Sequence, residues 1–285
     1  MLPLSIILIS LLLYFKMIKK DVPDIIKYTH GILDEIPLHT YKTKEQALAF
    51  FATNKEIFIY NILSCFEGLQ LSLRDIDTIC NGFTVSTLSL NDILLVRYFI
   101  TAYNQLCYNI QNNIFSPDRY ELNELHKIIA SYYAENDNSF RKVNVRFKNV
   151  NWSPPVHEDI PLYWHYIHEK IYDKKRIYEN TLIVFLQLSR IQFYSDANKR
   201  TAILFVNGIL LKNNLPPFII PISEKRTFSN LLLQFYEDGK ADDLLKFFAS
   251  TSVILHENIT RWQDICSQTN IHHLPLNKRR HLMWE

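Results

Sequence analysis

Glycine and proline are scarce here, 5 and 11 in 285 residues. With 48% hydrophobic residues, that scarcity points to a globular, mostly helical protein and not to a loop-rich or low-complexity one. Cysteine is equally thin: Cys65, Cys80, Cys107 and Cys266 are scattered and show no paired metal spacing. They read as buried thiols in a reducing compartment, which excludes a disulfide framework. Long runs of like charge are absent, the basic Lys278-Arg279-Arg280 being short, and the net charge is only +2. No nucleic-acid partner is expected from such a balance. There is no internal repeat and no low-complexity linker. The length suits one large domain or a domain with an extension.

A full membrane-spanning run is missing too. Leu2 to Phe15 is almost wholly apolar, but fourteen helical residues reach only about 21 Å against a hydrocarbon core of about 30 Å. No basic segment precedes it and no small-residue cleavage site follows, so it is not read as a cleaved signal peptide. Two readings stay open. Residues 2–15 form a short signal anchor, with Lys16, Lys19 and Lys20 keeping the main domain in the cytosol; or translation begins at Met17 and the run is not part of the natural protein. Either way the main domain is expected to be cytoplasmic, with the membrane as a partner under the first reading.

What is present is helical periodicity. Apolar residues at Ala47, Phe50, Phe51, Ile57, Ile59, Ile62 and Leu63 predict helix from Lys44 to Phe66, ended at Glu67-Gly68. Ser72 caps the next helix, with Asp75 in the Glu position of a capping box. A longer helix is predicted over Ser89 to Ile110, and Ser116-Pro117 reads as the start of another, with Leu122, Leu125, Ile128 and Ile129 on its buried face. Phe140 to Lys148 then alternates apolar and polar, the pattern of a strand with one wet face. Helices resume at Ile160–Asp173, Ile177–Ile191, Thr201–Lys212, Glu224–Glu237 (ended by Gly239) and Asp242–Cys266. The expected divisions are 1–20 hydrophobic segment, 21–115 N-terminal helical region, 116–266 core and 267–285 peripheral tail.

The chain is organised around Gln192-Phe193-Tyr194-Ser195-Asp196-Ala197-Asn198-Lys199-Arg200-Thr201-Ala202, a polar loop feeding an apolar helix. A helix start carries unpaired N–H groups and partial positive charge, to which Lys199 and Arg200 add two full charges. That is an anion cradle suited to phosphate, and Asp196 is placed to hold a divalent metal bridging phosphates. An ordinary helix entry, with Asp196, Asn198 and Thr201 supplying turn oxygens, accounts for the same residues equally well.

The stretch resembles the Fic (Fido-fold) motif His-x-Phe-x-(Asp/Glu)-(Ala/Gly)-Asn-(Gly/Lys)-Arg-x-x-Arg. Asp196-Ala197-Asn198-Lys199-Arg200 fits its centre; Gln192 stands at the catalytic His, Tyr194 at the Phe and Ile203 at the second Arg. Phe140-Arg141 and the stretch through Val143 and Val145 to Phe147 is similar to the family's target-aligning β-hairpin flap. Leu211 to Pro217 is similar to its post-motif helix end. Glu67-Gly68 looks like the end of its inhibitory helix, with Leu63 at the usual Ser/Thr. The resemblance implies a mostly α Fic-type domain with a small β-hairpin flap. It also implies Mg²⁺ on Asp196, ATP phosphates on Asn198, Lys199 and Arg200, and transfer of AMP to a Ser, Thr or Tyr hydroxyl of a target protein.

Gln192 cannot act as general base, because a carboxamide does not titrate near neutral pH, and losing such a base costs on the order of 10²–10⁴ in rate. Lys199 and the absent second Arg make the loop similar to that of the Doc kinases, which keep the His. Two functions follow: a nucleotide-binding pseudoenzyme with AMPylation weak or lost, or an active nucleotidyl- or phosphoryl-transferase using another base. For the second, His157, His165 and His168 are the candidates, each more simply read as exposed or structural. A membrane-attached helical scaffold with no ligand accounts for the N-terminal run but not for the loop.

Overall fold

Two helices at the centre of the protein carry almost no wet face. In the computed structural model every residue from Tyr178 to Ile191 of one is buried, as is nearly every residue of the next, Asn198 to Leu211, apart from Lys199. A helix apolar all round belongs in a core, and the others are laid around this pair. The structure describes residues 24–37, 40–131, 139–148 and 150–251. The apolar run 2–15, Met17, Cys266 and the tail 267–285 lie outside them.

In chain order the helices are α1 (Lys44–Thr53), α2 (Lys55–Phe66), α3 (Leu73–Cys80), α4 (Leu90–Gln111), α5 (Arg119–Ile129), α6 (Ile160–Ile171), α7 (Ile177–Ile191), α8 (Asn198–Lys212) and α9 (Lys225–Asp238). Helical turns continue over residues 242–251. Helix α8 packs on α7, α5, α4, α2 and α1, and α6 covers α7. No strand occurs among the described residues beyond an isolated bridge from Lys27 to Lys240.

Several boundaries follow from side-chain chemistry. Ser72 and Asp75 form the reciprocal capping box expected of them, and Ser89 with Asp92 forms a second. The run from Lys44 to Phe66 is two helices, because the chain leaves helical geometry at the buried Asn54, whose amide bonds back to the Phe50 carbonyl at 2.7 Å. The helix read from Ser116-Pro117 begins later: Asp118 is its cap, accepting from the Glu121 amide. Residues 140–148, read as a strand, are extended with a bend but find no ladder partner among the described residues. Among those residues no helix is long and apolar enough to cross a membrane.

A second fixed point is Arg190 at the end of α7. It is buried and donates to the carbonyls of Ile25, Tyr236 and, at 3.4 Å, Glu237. Its guanidinium also lies 4.0 Å from the Trp152 ring centroid. One side chain thereby ties together the N-terminal strap, the end of α9 and the segment after residue 150. Gly239 is needed beside it: φ is +75°, and a Cβ would collide with Arg190 Nη1 and the Ile25 carbonyl.

Candidate functional site: the loop between α7 and α8

The loop is entered and left through strained backbone. Gln192 ends α7 at φ 58°, ψ 71°, and Ala197 precedes α8 at φ 59°, both in the left-handed region. Each such residue costs on the order of 1–3 kcal/mol, and this kind of strain clusters at functional sites. Helix α8 starts at Asn198, three residues before the expected Thr201, and no side chain caps it. Asn198 braces the loop from inside: its Oδ1 accepts from the Tyr194 amide at 2.9 Å, and its Nδ2 donates to Gln192 Oε1 at 2.9 Å and Tyr194 O at 2.7 Å. Thr201, expected among the turn oxygens, is instead buried within the helix.

Gln192 is engaged through both ends of its amide, donating to Ser189 O at 2.5 Å while accepting from Asn198. Its backbone carbonyl accepts from Arg141 Nε at 2.6 Å. Arg141, buried, also donates to the carbonyls of Val143, at 2.8 Å, and Pro155, and its amide donates to Phe193 O at 2.8 Å. Burial pulls this guanidinium below the ordinary arginine range, with the Glu158 charge opposing. Phe140 packs edge-on against Phe193 at 4.8 Å, under the Arg119 guanidinium at 4.3 Å. The segment read as the flap is therefore held to the loop by Phe140 and Arg141, while Val143 is exposed and Val145 half-buried.

The charged residues come together at the other end. Arg200 is only 1% exposed, yet Glu67 Oε1 lies 2.8 Å from its Nε and Asp196 Oδ2 lies 3.3 Å from its Nη2. The carboxylates are less enclosed, with side chains 23% and 48% exposed. Lys199 sits beside them, Nζ 5.9 Å from the Phe66 ring centroid. Burial lowers its ammonium pKa; the Glu67 charge raises it, Arg200 lowers it further and Asp196 raises it. The second-Arg position, Ile203, is wholly buried among apolar neighbours and brings no charge.

Sequence reasoning missed His126. It reaches the loop from α5, its ring stacked 3.6 Å from Tyr194 and its Nε2 3.2 Å from the Asp196 carbonyl. A carbonyl only accepts, so Nε2 is the donor there. Tyr194 is further fixed by its hydroxyl, which donates to Asn123 at 2.6 Å. A histidine seventy positions upstream, on an amphipathic helix, gives no local signal of this. The three histidines weighed from sequence are engaged elsewhere: His157 with Asn144 and Glu158, His165 with Glu169, His168 with Trp164 and Tyr172.

The comparisons agree with this architecture. Residues 116–210 match the model of the Fic/DOC family. Solved Fic structures superpose over most of the chain. A Fic domain containing signaling protein from Bacteroides thetaiotaomicron does so with TM-score 0.63 and 18% identity, covering 79% of this chain and 91% of its own. The fold is the Fic fold. Fic-1 from C. elegans gives TM-score 0.62 at 19% identity over 91% of this chain and 76% of that one. A Fic family protein from Desulfovibrio desulfuricans gives 0.60 at 13%, over 80% and 75%. No curated protein matches the chain. Within the Fic fold the α7–α8 loop is the end of the matched region that carries the motif-like residues.

Proposed function

We propose that the chain is a nucleotide-binding Fic protein whose transfer of AMP to protein hydroxyls is weak or lost, and whose phosphate cradle is held by its own Glu67. The observation that carries this reading is the Glu67–Arg200 ion pair at 2.8 Å: a carboxylate already occupies the cation that an incoming phosphate needs. A buried guanidinium needs acceptors for its N–H groups, and a side-chain carboxylate that is itself partly exposed can leave for water when a stronger anion arrives.

The uncapped start of α8, with Lys199 and Arg200 in its first turn, supports an anion site there. Asp196 fits a divalent cation, because its carboxylate is half-exposed and Mg²⁺ commonly takes only one or two protein carboxylates, completing its shell with phosphate and water. Bound there, Mg²⁺ would supply charge neutralisation across the phosphates. Asn198 keeps the loop backbone in place, and His126 holds the Asp196 carbonyl. At the position of the base, Gln192 accepts no proton, and its amide is turned to Ser189 and Asn198. Phosphate binding is thus retained chemistry, while proton removal from a hydroxyl is the missing step.

Titration calorimetry of ATP with Mg²⁺ into the full chain, and into a variant carrying Asp196→Ala and Arg200→Ala, tests the proposal. Binding by the parent and its loss in the variant are expected. Equal, negligible heats for both would refute it.

A further inference from the structure

We infer that Lys225, at the first turn of α9, supplies the cation that the motif lacks at Ile203, so that it holds the terminal phosphate of a nucleoside triphosphate and sets the preference for triphosphate over diphosphate. The inference rests on the nucleotide reading above and adds a residue from outside the matched region.

The turn after α2 is formed by Glu67 and Gly68. Glu67 faces Arg200 from one side of that turn. The next residue, Gly68, has φ +69°, and a Cβ built on it would lie 3.9 Å from Lys225 Nζ, with no other described atom within 4 Å. The same ammonium is the nearby charge that opposes the upward, burial-driven displacement of the Cys65 thiol pKa, one turn back on α2. Two cations, Arg200 and Lys225, therefore flank the Glu67-Gly68 turn.

Their surroundings differ in a way that fits division of labour. Arg200 is enclosed and paired with two carboxylates, whereas Lys225 is half-buried and its ammonium makes no hydrogen bond or ion pair among the described residues. A cation left without a partner beside a carboxylate-bearing turn is poised for an anion longer than that carboxylate. Glu67 offers one charge, which Arg200 takes; a polyphosphate chain extends its charge further. Gly68 leaves open space on the Lys225 side that any side chain would begin to fill. Ile203 contributes nothing polar, so Lys225 adds a positive charge that this position does not supply.

The test is calorimetric titration of ATP and, separately, ADP, each with Mg²⁺, into the full chain bearing Glu67→Gly, and into the same background with Lys225→Gln or Lys225→Arg. Removing the competing carboxylate exposes the full preference. We expect ATP to bind more tightly than ADP by about tenfold, the size of one charge-assisted contact. Lys225→Gln should erase that difference by weakening ATP alone, and Lys225→Arg should keep most of it. Unchanged ADP affinity serves as the check that the variant is folded. Equal weakening of both nucleotides, or an ATP preference that survives Lys225→Gln, would overturn the role of Lys225 while leaving the nucleotide site standing. Failure of both nucleotides to bind any of these proteins would overturn the two together.

Discussion

Two buried arginines, Arg190 at the end of α7 and Arg200 at the start of α8, sit in the same core and are held by opposite means. Arg190 is surrounded by backbone carbonyls from three separate segments and by the Trp152 ring. Burial lowers its pKa to about 10, the charges of Asp238 and Glu237 opposing, which still leaves it charged at neutral pH. Arg200 is surrounded by carboxylates that reach partly into water. Carbonyls fixed in the chain cannot leave, but a side-chain carboxylate can rotate away. The first arrangement ties segments together; the second is the one we propose a ligand enters. On that proposal, depth alone does not separate a structural cation from a ligand-binding one; whether its partners are backbone or side chain does.

The comparison breaks first on stability. Arg190→Met should destabilise the fold by about 3–5 kcal/mol, because it strands buried carbonyls of the strap and of α9. Arg200→Met should cost clearly less, since Glu67 and Asp196 can rehydrate where they stand. Thermal or urea unfolding of both variants checks this, and equal losses would mean that Arg200 is as structural as Arg190.

The next effect concerns the strained position 192. Histidine tolerates left-handed backbone better than most residues, so Gln192→His should be accepted there and restore a proton acceptor beside the loop. Self-modification with labelled ATP and Mg²⁺ should rise by at least about 10²-fold over the parent. A parent already as active as the variant would place the base elsewhere and favour the transferase reading.

Much of this was legible in the sequence, and the division is physical. Local chemistry was readable: the Ser72–Asp75 capping box, the Gly239 helix end, the start of α6 and both ends of α7 depend on residues within a turn of each other. The helix start moved from Pro117 to Arg119 because Asp118 is an equally good cap that lies closer to the apolar face. Alternation over residues 140–148 describes extended chain, but a ladder needs a partner strand that periodicity cannot supply. Glu67 was legible as the end of an inhibitory-helix-like segment, but its pairing with Arg200 depends on the packing of α2 on α8, with the two residues 133 positions apart. His126, Lys225 and the grip of Arg141 on the Gln192 carbonyl depend wholly on tertiary placement. Helix periodicity shows which face is buried but not which residue lies opposite.

The central claim is that Glu67 and a nucleotide phosphate contend for Arg200. The most direct measurement is ATP affinity with Mg²⁺ for the parent and for Glu67→Gly at low and high salt. The account predicts binding tighter by about tenfold in the variant at low salt, with the gain shrinking as ionic strength rises, because the competing carboxylate is partly exposed and its field is screened. Unchanged or weaker binding in the variant at low salt would contradict it.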